Sequence, residues 1–163
     1  MTDRRRAFHV VDDFEAALCE FTGAPYCVTI DSCSNAIFLA VKWIREQHGG
    51  TWGALTLPKH TYVGVIQAVQ NAGWDVEFSD EKWRGSYRLS PTMVVDSAKS
   101  FYRNMYSPGF LICLSFQAGK RLPLGRGGAI LHDDPEADTW FRRARLDGRI
   151  EGAGYQDLTF QRS

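Results

Sequence analysis

At 163 residues, 44% hydrophobic and 13% aromatic, the chain has enough apolar side chains for one domain with a substantial core and is too short for two full ones. Nineteen Lys and Arg balance nineteen Asp and Glu, and the one basic run, Arg4-Arg5-Arg6, reads as a solvated N-terminal tail, so nothing argues for a nucleic-acid groove or a membrane surface. No stretch approaches about 18 consecutive apolar residues, and MTDRRRAFHV has no apolar run behind its charges; neither a spanning helix nor a signal peptide is indicated, and a cytoplasmic location is expected.

In chain order, Asp12 or Asp13 is placed to cap a helix whose apolar positions Phe14, Ala17, Leu18 and Phe21 recur at helical spacing, with Gly23 as its stop. YCVTI (26–30) is a short strand. A second helix starts near Ser34, presents Ile37, Ala40, Val41 and Ile44 on one face, and ends at Gly49-Gly50. ALTL (54–57) reads as a buried strand closed by Pro58, TYVGVIQAVQNAG as a helix with Val65, Ile66 and Val69 inward, and DVEF (75–78) as a strand. Between Asp80 and Ser90 the segment EKWRGSYRLS carries turn residues and no clear period. Strands resume with MVV (93–95), LICLSF (111–116) and GAILH (128–132), and Asp134 with Pro135 starts a last helix running to about Asp147. The residues from Arg149 onward are polar and read as loosely attached. This alternation predicts an α/β fold, a mostly parallel sheet flanked by helices, in a single compact domain spanning residues 1–163.

In an open α/β sheet a ligand sits at the carboxyl ends of the strands, and three tight junctions follow strands here. DSCSNA (31–36) runs into a helix start, so Ser32 and Ser34 are either plain caps or, with the free N–H groups, an anion site. DSAK (96–99) offers Asp96 as a turn former or as a fixed partner for a buried cation. SFQAGK (115–120) offers Lys120, a solvated loop lysine or a reactive amine. Cys19, Cys27, Cys33 and Cys113 form no CxxC pair, and no His follows at zinc-finger spacing, so free thiols in a reducing compartment are expected and no metal.

Together the three junctions resemble one known arrangement. FEAALCEFTGAPYCVTIDSCSNAIFLAV is similar to the opening helix, strand and phosphate-binding turn of the DegT/DnrJ/EryC1/StrS family, the sugar-aminotransferase branch of the fold type I enzymes that use pyridoxal 5'-phosphate. LPKHTYVGVIQAVQNAGWDVEFSD resembles that family's next segment, VVDSAKSF its Glu-Asp-Ala-Ala-Gln motif, and SFQAGKRLPLGRGGAI its Ser-Phe-x-x-x-Lys-x-Leu-x-x-Gly-Glu-Gly-Gly motif; PEADTWFRRARLDGR is similar to the helix that follows. The resemblance runs from Asp13 to about Arg149.

The resemblance implies a shortened large domain of that fold, an aminotransferase moving an amino group from a donor such as glutamate to a keto-sugar nucleotide or related carbonyl compound, and a homodimer. It implies Lys120 as the amine that condenses with the cofactor's aldehyde and then shuttles a proton, and Asp96 as the carboxylate that keeps the pyridine nitrogen protonated. Cys33 through its backbone, Ser34 and Ser115 stand where the family holds the phosphate, Tyr62 where it stacks an aromatic on the ring, and Lys99 where it has a Gln that bonds the phenolic oxygen.

The departures are equally specific. Lys99 replaces that Gln, Arg126 replaces the Glu of the Gly-Glu-Gly-Gly turn, and Cys33-Ser34 stands for Gly-Thr. Asp80 and Asp96 lie close in sequence where the family has further α/β units, including a His-containing strand, and the chain stops without the family's C-terminal small domain. Gly154-Tyr155-Gln156 is similar to the family's Gly-Tyr-Asn segment. Two classes of function follow: a compact aminotransferase, or a non-catalytic binding or assembly derivative, including a truncated family member. A lyase or dehydratase on the same scaffold is a third, because a scaffold does not decide a reaction.

Overall fold

The computed structural model describes residues 4–49 and 53–149. Helix α1 (Arg4–Thr22) begins well before Asp12 and Asp13, which lie inside it, so neither is its cap and the Arg4-Arg5-Arg6 run is its first turn rather than a tail. The helical spacing of apolar residues continues upstream through Ala7, Val10 and Val11, and this outweighs the capping signal. Gly23, in the left-handed region at φ 78°, ends the helix with its N–H on the Cys19 carbonyl.

Strand β1 (Tyr26–Ile30) leads into α2 (Cys33–His48), whose cap Ser32 accepts the Asn35 N–H at 3.2 Å and whose end is marked by left-handed Gly49. Next come β2 (Ala54–Pro58), α3 (Val63–Asn71), β3 (Asp75–Ser79), the two-residue β4 (Tyr87–Arg88), β5 (Val94–Asp96), β6 (Leu111–Ser115), β7 (Gly128–His132) and α4 (Pro135–Ala144). Asp134 caps α4 by accepting the N–H groups of Glu136 and Ala137, with Pro135 in the first turn.

The architecture is α/β, but most of the main sheet is antiparallel. Its order is β1-β7-β6-β5-β4, and only β5 and β6 pair in parallel; the other three pairings are antiparallel. A second, two-stranded sheet pairs β2 and β3 in parallel. The expected βαβ rhythm fails after β3: no helix separates β4, β5, β6 and β7, and the Gly-rich turn after β6 brings β7 back beside it in the opposite direction. The Thr56 N–H donates to the Ser90 carbonyl at 2.8 Å, bridging β2 to the segment between β4 and β5 and so joining the two sheets.

Period-2 alternation places side chains on two faces. Val28, Leu111, Cys113 and Ile130 pack with Ile37, Val41 and Phe141 under α2, α3 and α4, while Cys27, Ile112, Leu114 and Leu131 pack with Leu18, Phe14 and Phe116 under α1. With both faces covered, β7 is buried along its whole length. Gly128 makes this closeness possible: a Cβ there would stand 2.6 Å from the Cys33 nitrogen and 2.7 Å from the Leu114 carbonyl oxygen. The start of α2 is thereby pressed against the ends of β6 and β7.

A buried ionic group fastens α1 to β1 and α4. Glu15 accepts from the Thr29 N–H and hydroxyl, both at 2.7 Å, from Arg142 at 2.8 Å and from Arg145 at 2.5 Å. Burial alone would push the Glu15 carboxyl up, but the two Thr29 donors and the two guanidinium groups outweigh it and hold it below its ordinary value. Among the described residues, no helix is long and apolar enough to cross a membrane, and no cluster of His, Cys, Asp and Glu is placed to hold a metal ion.

Candidate functional site

The three junctions lie at the carboxyl ends of β1, β5 and β6, at one end of the main sheet. Asp96 ends β5 and is 5% exposed. One carboxylate oxygen accepts the Ala98 N–H at 2.9 Å, as a short polar side chain does in a turn, and the other accepts the Tyr87 hydroxyl at 2.9 Å. Desolvation pushes the Asp96 carboxyl up; the Ala98 and Tyr87 bonds, Lys120 and Lys99 pull it back only in part, and it stays above its ordinary value. A buried carboxylate in that condition gains from a further cationic partner.

Lys120 is half-buried in the turn after β6, where its own N–H bonds the Gln117 carbonyl. Its side chain has no hydrogen bond or ion pair among the described residues, and its charge is felt at both Asp96 and Cys33. Cys33, the first residue of α2, points its thiol at the Cys113 carbonyl at 3.7 Å; burial first, then Asp96, push that thiol far up, so it is a neutral thiol and not a nucleophile. Its value to a ligand is therefore its place at the helix start. Ser115 ends β6 directly opposite Gly128, which in turn abuts Cys33. Ser34 lies beside the loop before α3: a Cβ on Gly64 would stand 3.0 Å from Ser34 Oγ and 2.6 Å from Tyr62 Cε1. Tyr62 itself is 69% exposed, a ring face turned to solvent at the start of α3.

The structure therefore brings Asp96, Lys120 and Cys33 into one electrostatic neighbourhood, sets Ser115 beside the α2 start, and sets Ser34 beside Tyr62. Lys99 is drawn partly elsewhere: its ammonium lies over the Trp83 ring, 5.1 Å from the centroid. Arg126 faces the other way. It lines a mainly apolar cleft of about 250 Å³ with Val10, Phe14, Ile30, Phe116 and Leu124, which includes none of the expected site residues. The one ionisable side chain of that cleft has no acid or amine partner in the lining, so the strand-end cluster is the better candidate. Gly154-Tyr155-Gln156 lies outside the described residues.

Three neighbours of Asp96 escape the sequence reading. Tyr87 bonds it directly, Thr61 bonds the Tyr87 hydroxyl, and Trp83 packs on the Tyr87 ring with centroids 4.9 Å apart. Tyr87 and Trp83 belong to the aperiodic segment after Asp80, where the only available signal was the alternation of Tyr87 and Leu89, both buried.

The profile of the DegT/DnrJ/EryC1/StrS aminotransferase family matches residues 5–98, more than half of the chain. The chain belongs to that family. No curated protein matches it. Among solved structures it is similar to the sugar aminotransferase CalS13 from Micromonospora echinospora, with a TM-score of 0.72 and 15% identity over 94% of this chain and 54% of that one. It is also similar to Helicobacter pylori PseC, an aminotransferase involved in the biosynthesis of pseudoaminic acid, with a TM-score of 0.66 and 17% identity over 95% of this chain and 56% of that one. A DegT/DnrJ/EryC1/StrS aminotransferase from Brucella abortus gives a TM-score of 0.68 and 16% identity over 91% and 52%. The fold is thus the fold type I aminotransferase large domain in shortened form, and the chain spans about half the length of these relatives. Members of the DegT/DnrJ/EryC1/StrS family use pyridoxal phosphate, and the residues present suit such a group. Asp96 is a buried acceptor short of positive charge, Lys120 is an amine with no ion pair among the described residues whose charge is felt at Asp96, and the close approach at Gly128 sets a helix start and Ser115 side by side, as an anion requires.

Proposed function

We propose that this chain binds pyridoxal 5'-phosphate and serves as a compact aminotransferase, moving an amino group from an amino acid such as glutamate to a keto-sugar nucleotide or related carbonyl compound. The cofactor, when bound, supplies an aldehyde that condenses with amines and a ring that accepts electrons. Lys120 Nζ would hold the cofactor through its aldehyde and would move the proton at the substrate carbon. Asp96 holds a proton on the ring nitrogen. The α2 start at Cys33 and Ser34, with Ser115, holds the phosphate; Tyr62 offers its exposed ring as a stacking face, and Lys99 adds a positive charge near the phenolic oxygen. The protein works as a cytoplasmic homodimer.

The observation that carries the reading is the buried, under-compensated Asp96 at the end of β5 within electrostatic reach of the unpaired Lys120. Purified protein mixed with pyridoxal phosphate is expected to gain a visible absorption band, and borohydride is expected to fix the cofactor's mass on Lys120. Lys120→Ala is expected to abolish both. An absent band, or one unchanged in the variant, overturns the reading. Glutamate is expected to bleach the band through amino transfer. A band that persists favours the second reading, a non-catalytic binding module.

A further inference from the structure

We infer that Tyr87 is a positioning residue for Asp96, supplied by the segment that here takes the place of an α/β unit. The inference rests on the proposed cofactor site; Trp83 and Tyr87 lie outside the segments that resemble the family, between the one ending at Asp80 and the one starting at Val94.

The geometry is built from both sides. In the antiparallel pairing of β4 with β5, Tyr87 stands directly opposite Asp96. Its hydroxyl donates to one carboxylate oxygen while the Ala98 N–H donates to the other, so the carboxylate plane is fixed by two bonds from different segments. A phenol has one proton. Because that proton goes to Asp96, the short bond between Thr61 Oγ and the Tyr87 oxygen must be donated by Thr61. Thr61 immediately precedes Tyr62, so one chain of hydrogen bonds runs from the loop bearing the proposed stacking ring to the carboxylate proposed to face the ring nitrogen. Trp83, packed on the Tyr87 ring, restricts the phenol's rotamer and carries the Lys99 ammonium on its own face. Burial, followed by the Asp96 charge, pushes the Tyr87 hydroxyl far up, which keeps it a donor throughout the neutral range.

The groups facing Asp96 are Tyr87 from β4, Lys99 and the Ala98 N–H from the turn after β5, Cys33 from α2, Cys113 from β6 and Lys120 from the turn after β6. Of these, only Tyr87 bonds the carboxylate through a side chain. Its removal leaves Asp96 harder to ionise and oriented by the Ala98 N–H alone among these groups.

The test is pyridoxal phosphate affinity, read by titrating the visible band across pH in wild type, Tyr87→Phe, Asp96→Asn and the double variant. Tyr87→Phe is expected to weaken binding about tenfold, the scale of one hydrogen bond to a charged group, and to move the acid limb of binding to higher pH. In the Asp96→Asn background the same change is expected to have no further effect. Wild-type affinity in Tyr87→Phe, or a loss undiminished without Asp96, overturns the inference and leaves the cofactor reading standing. A wild-type protein that takes up no cofactor overturns both. Should Tyr87→Phe fail to fold, Thr61→Val carries the same test: a loss of affinity that vanishes with Asp96→Asn supports the role, and no loss overturns it.

Discussion

Two carboxylates, Glu15 at 4% exposure and Asp96 at 5%, are almost equally buried, yet their surroundings shift their pKa values in opposite directions, Glu15 down and Asp96 up. Glu15 is surrounded by two guanidinium groups, a backbone N–H and a hydroxyl, all in direct contact. Asp96 has one N–H and one phenol in contact, and its nearest cations, Lys120 and Lys99, act from a distance without bonding it. The first arrangement is complete within the chain and holds three elements together; the second has acceptor capacity left over. Burial by itself therefore does not distinguish a structural carboxylate from a functional one. What distinguishes them is whether the fold supplies the full complement of partners.

Breaking the complete group has the larger expected cost to stability. Glu15→Gln removes the buried charge that Arg142 and Arg145 both bond, and urea unfolding is expected to show a loss of about 3–5 kcal/mol. Asp96→Asn is expected to change unfolding free energy by no more than about 1 kcal/mol, since an amide accepts from Ala98 and donates toward the Tyr87 oxygen, while cofactor binding is weakened but still measurable. A destabilised Asp96→Asn would show that the two sites are alike after all.

The acid range sharpens the contrast because the slopes have opposite signs. Glu15 lies below its ordinary value of 4.5, so its contribution is full above 4.5 and is lost as pH falls through its folded value. Asp96 lies above its ordinary 3.8, so its contribution is full below 3.8 and is lost as pH rises through its folded value. Subtracting the Glu15→Gln and Asp96→Asn stability profiles from that of wild type is expected to give these two opposite limbs.

A third buried group gives a smaller effect. His132 is fully buried between Tyr26 and Phe141, its ring nitrogens lack hydrogen-bond partners, and Nε2 lies 3.7 Å from Asp138. Burial pushes its pKa below the ordinary 6.5, so its stability contribution is present above 6.5 and is lost as pH falls through the folded value. His132→Phe is expected to be near neutral at pH 7, within about 1 kcal/mol, and to flatten thermal stability below pH 6. The smallest change is Gly64→Ala, whose methyl displaces the movable Tyr62 ring; about a twofold weakening of cofactor binding with unchanged melting temperature is expected.

Elements with a strong local signal were legible in the sequence: YCVTI, DVEF and GAILH are strands, and the Asp134-Pro135 start opens α4. Local signals carry little information about strand direction, and a run of strands without intervening helices was read as parallel although the turns between them permit mainly antiparallel pairing. At the site, Asp96 and Lys120 were visible because each follows an apolar run that ends at a strand terminus. Tyr87 was not, because its importance lies in a cross-strand partner, and pairing between β4 and β5 leaves no periodic trace in a two-residue strand. Thr61 and Trp83 were hidden for the same reason.

The bridge from Thr56 to Ser90 carries a last consequence. Because β2 and β3 form their own sheet, share the core of the main sheet through Leu55 and Leu57, and among the described residues hydrogen-bond it through that backbone contact, the Thr56 amide is a built-in reporter of how far the pair behaves as a separate cooperative unit. Its deuterium uptake is set by the free energy of parting the two sheets, whereas amides within β7 exchange only when the whole molecule opens.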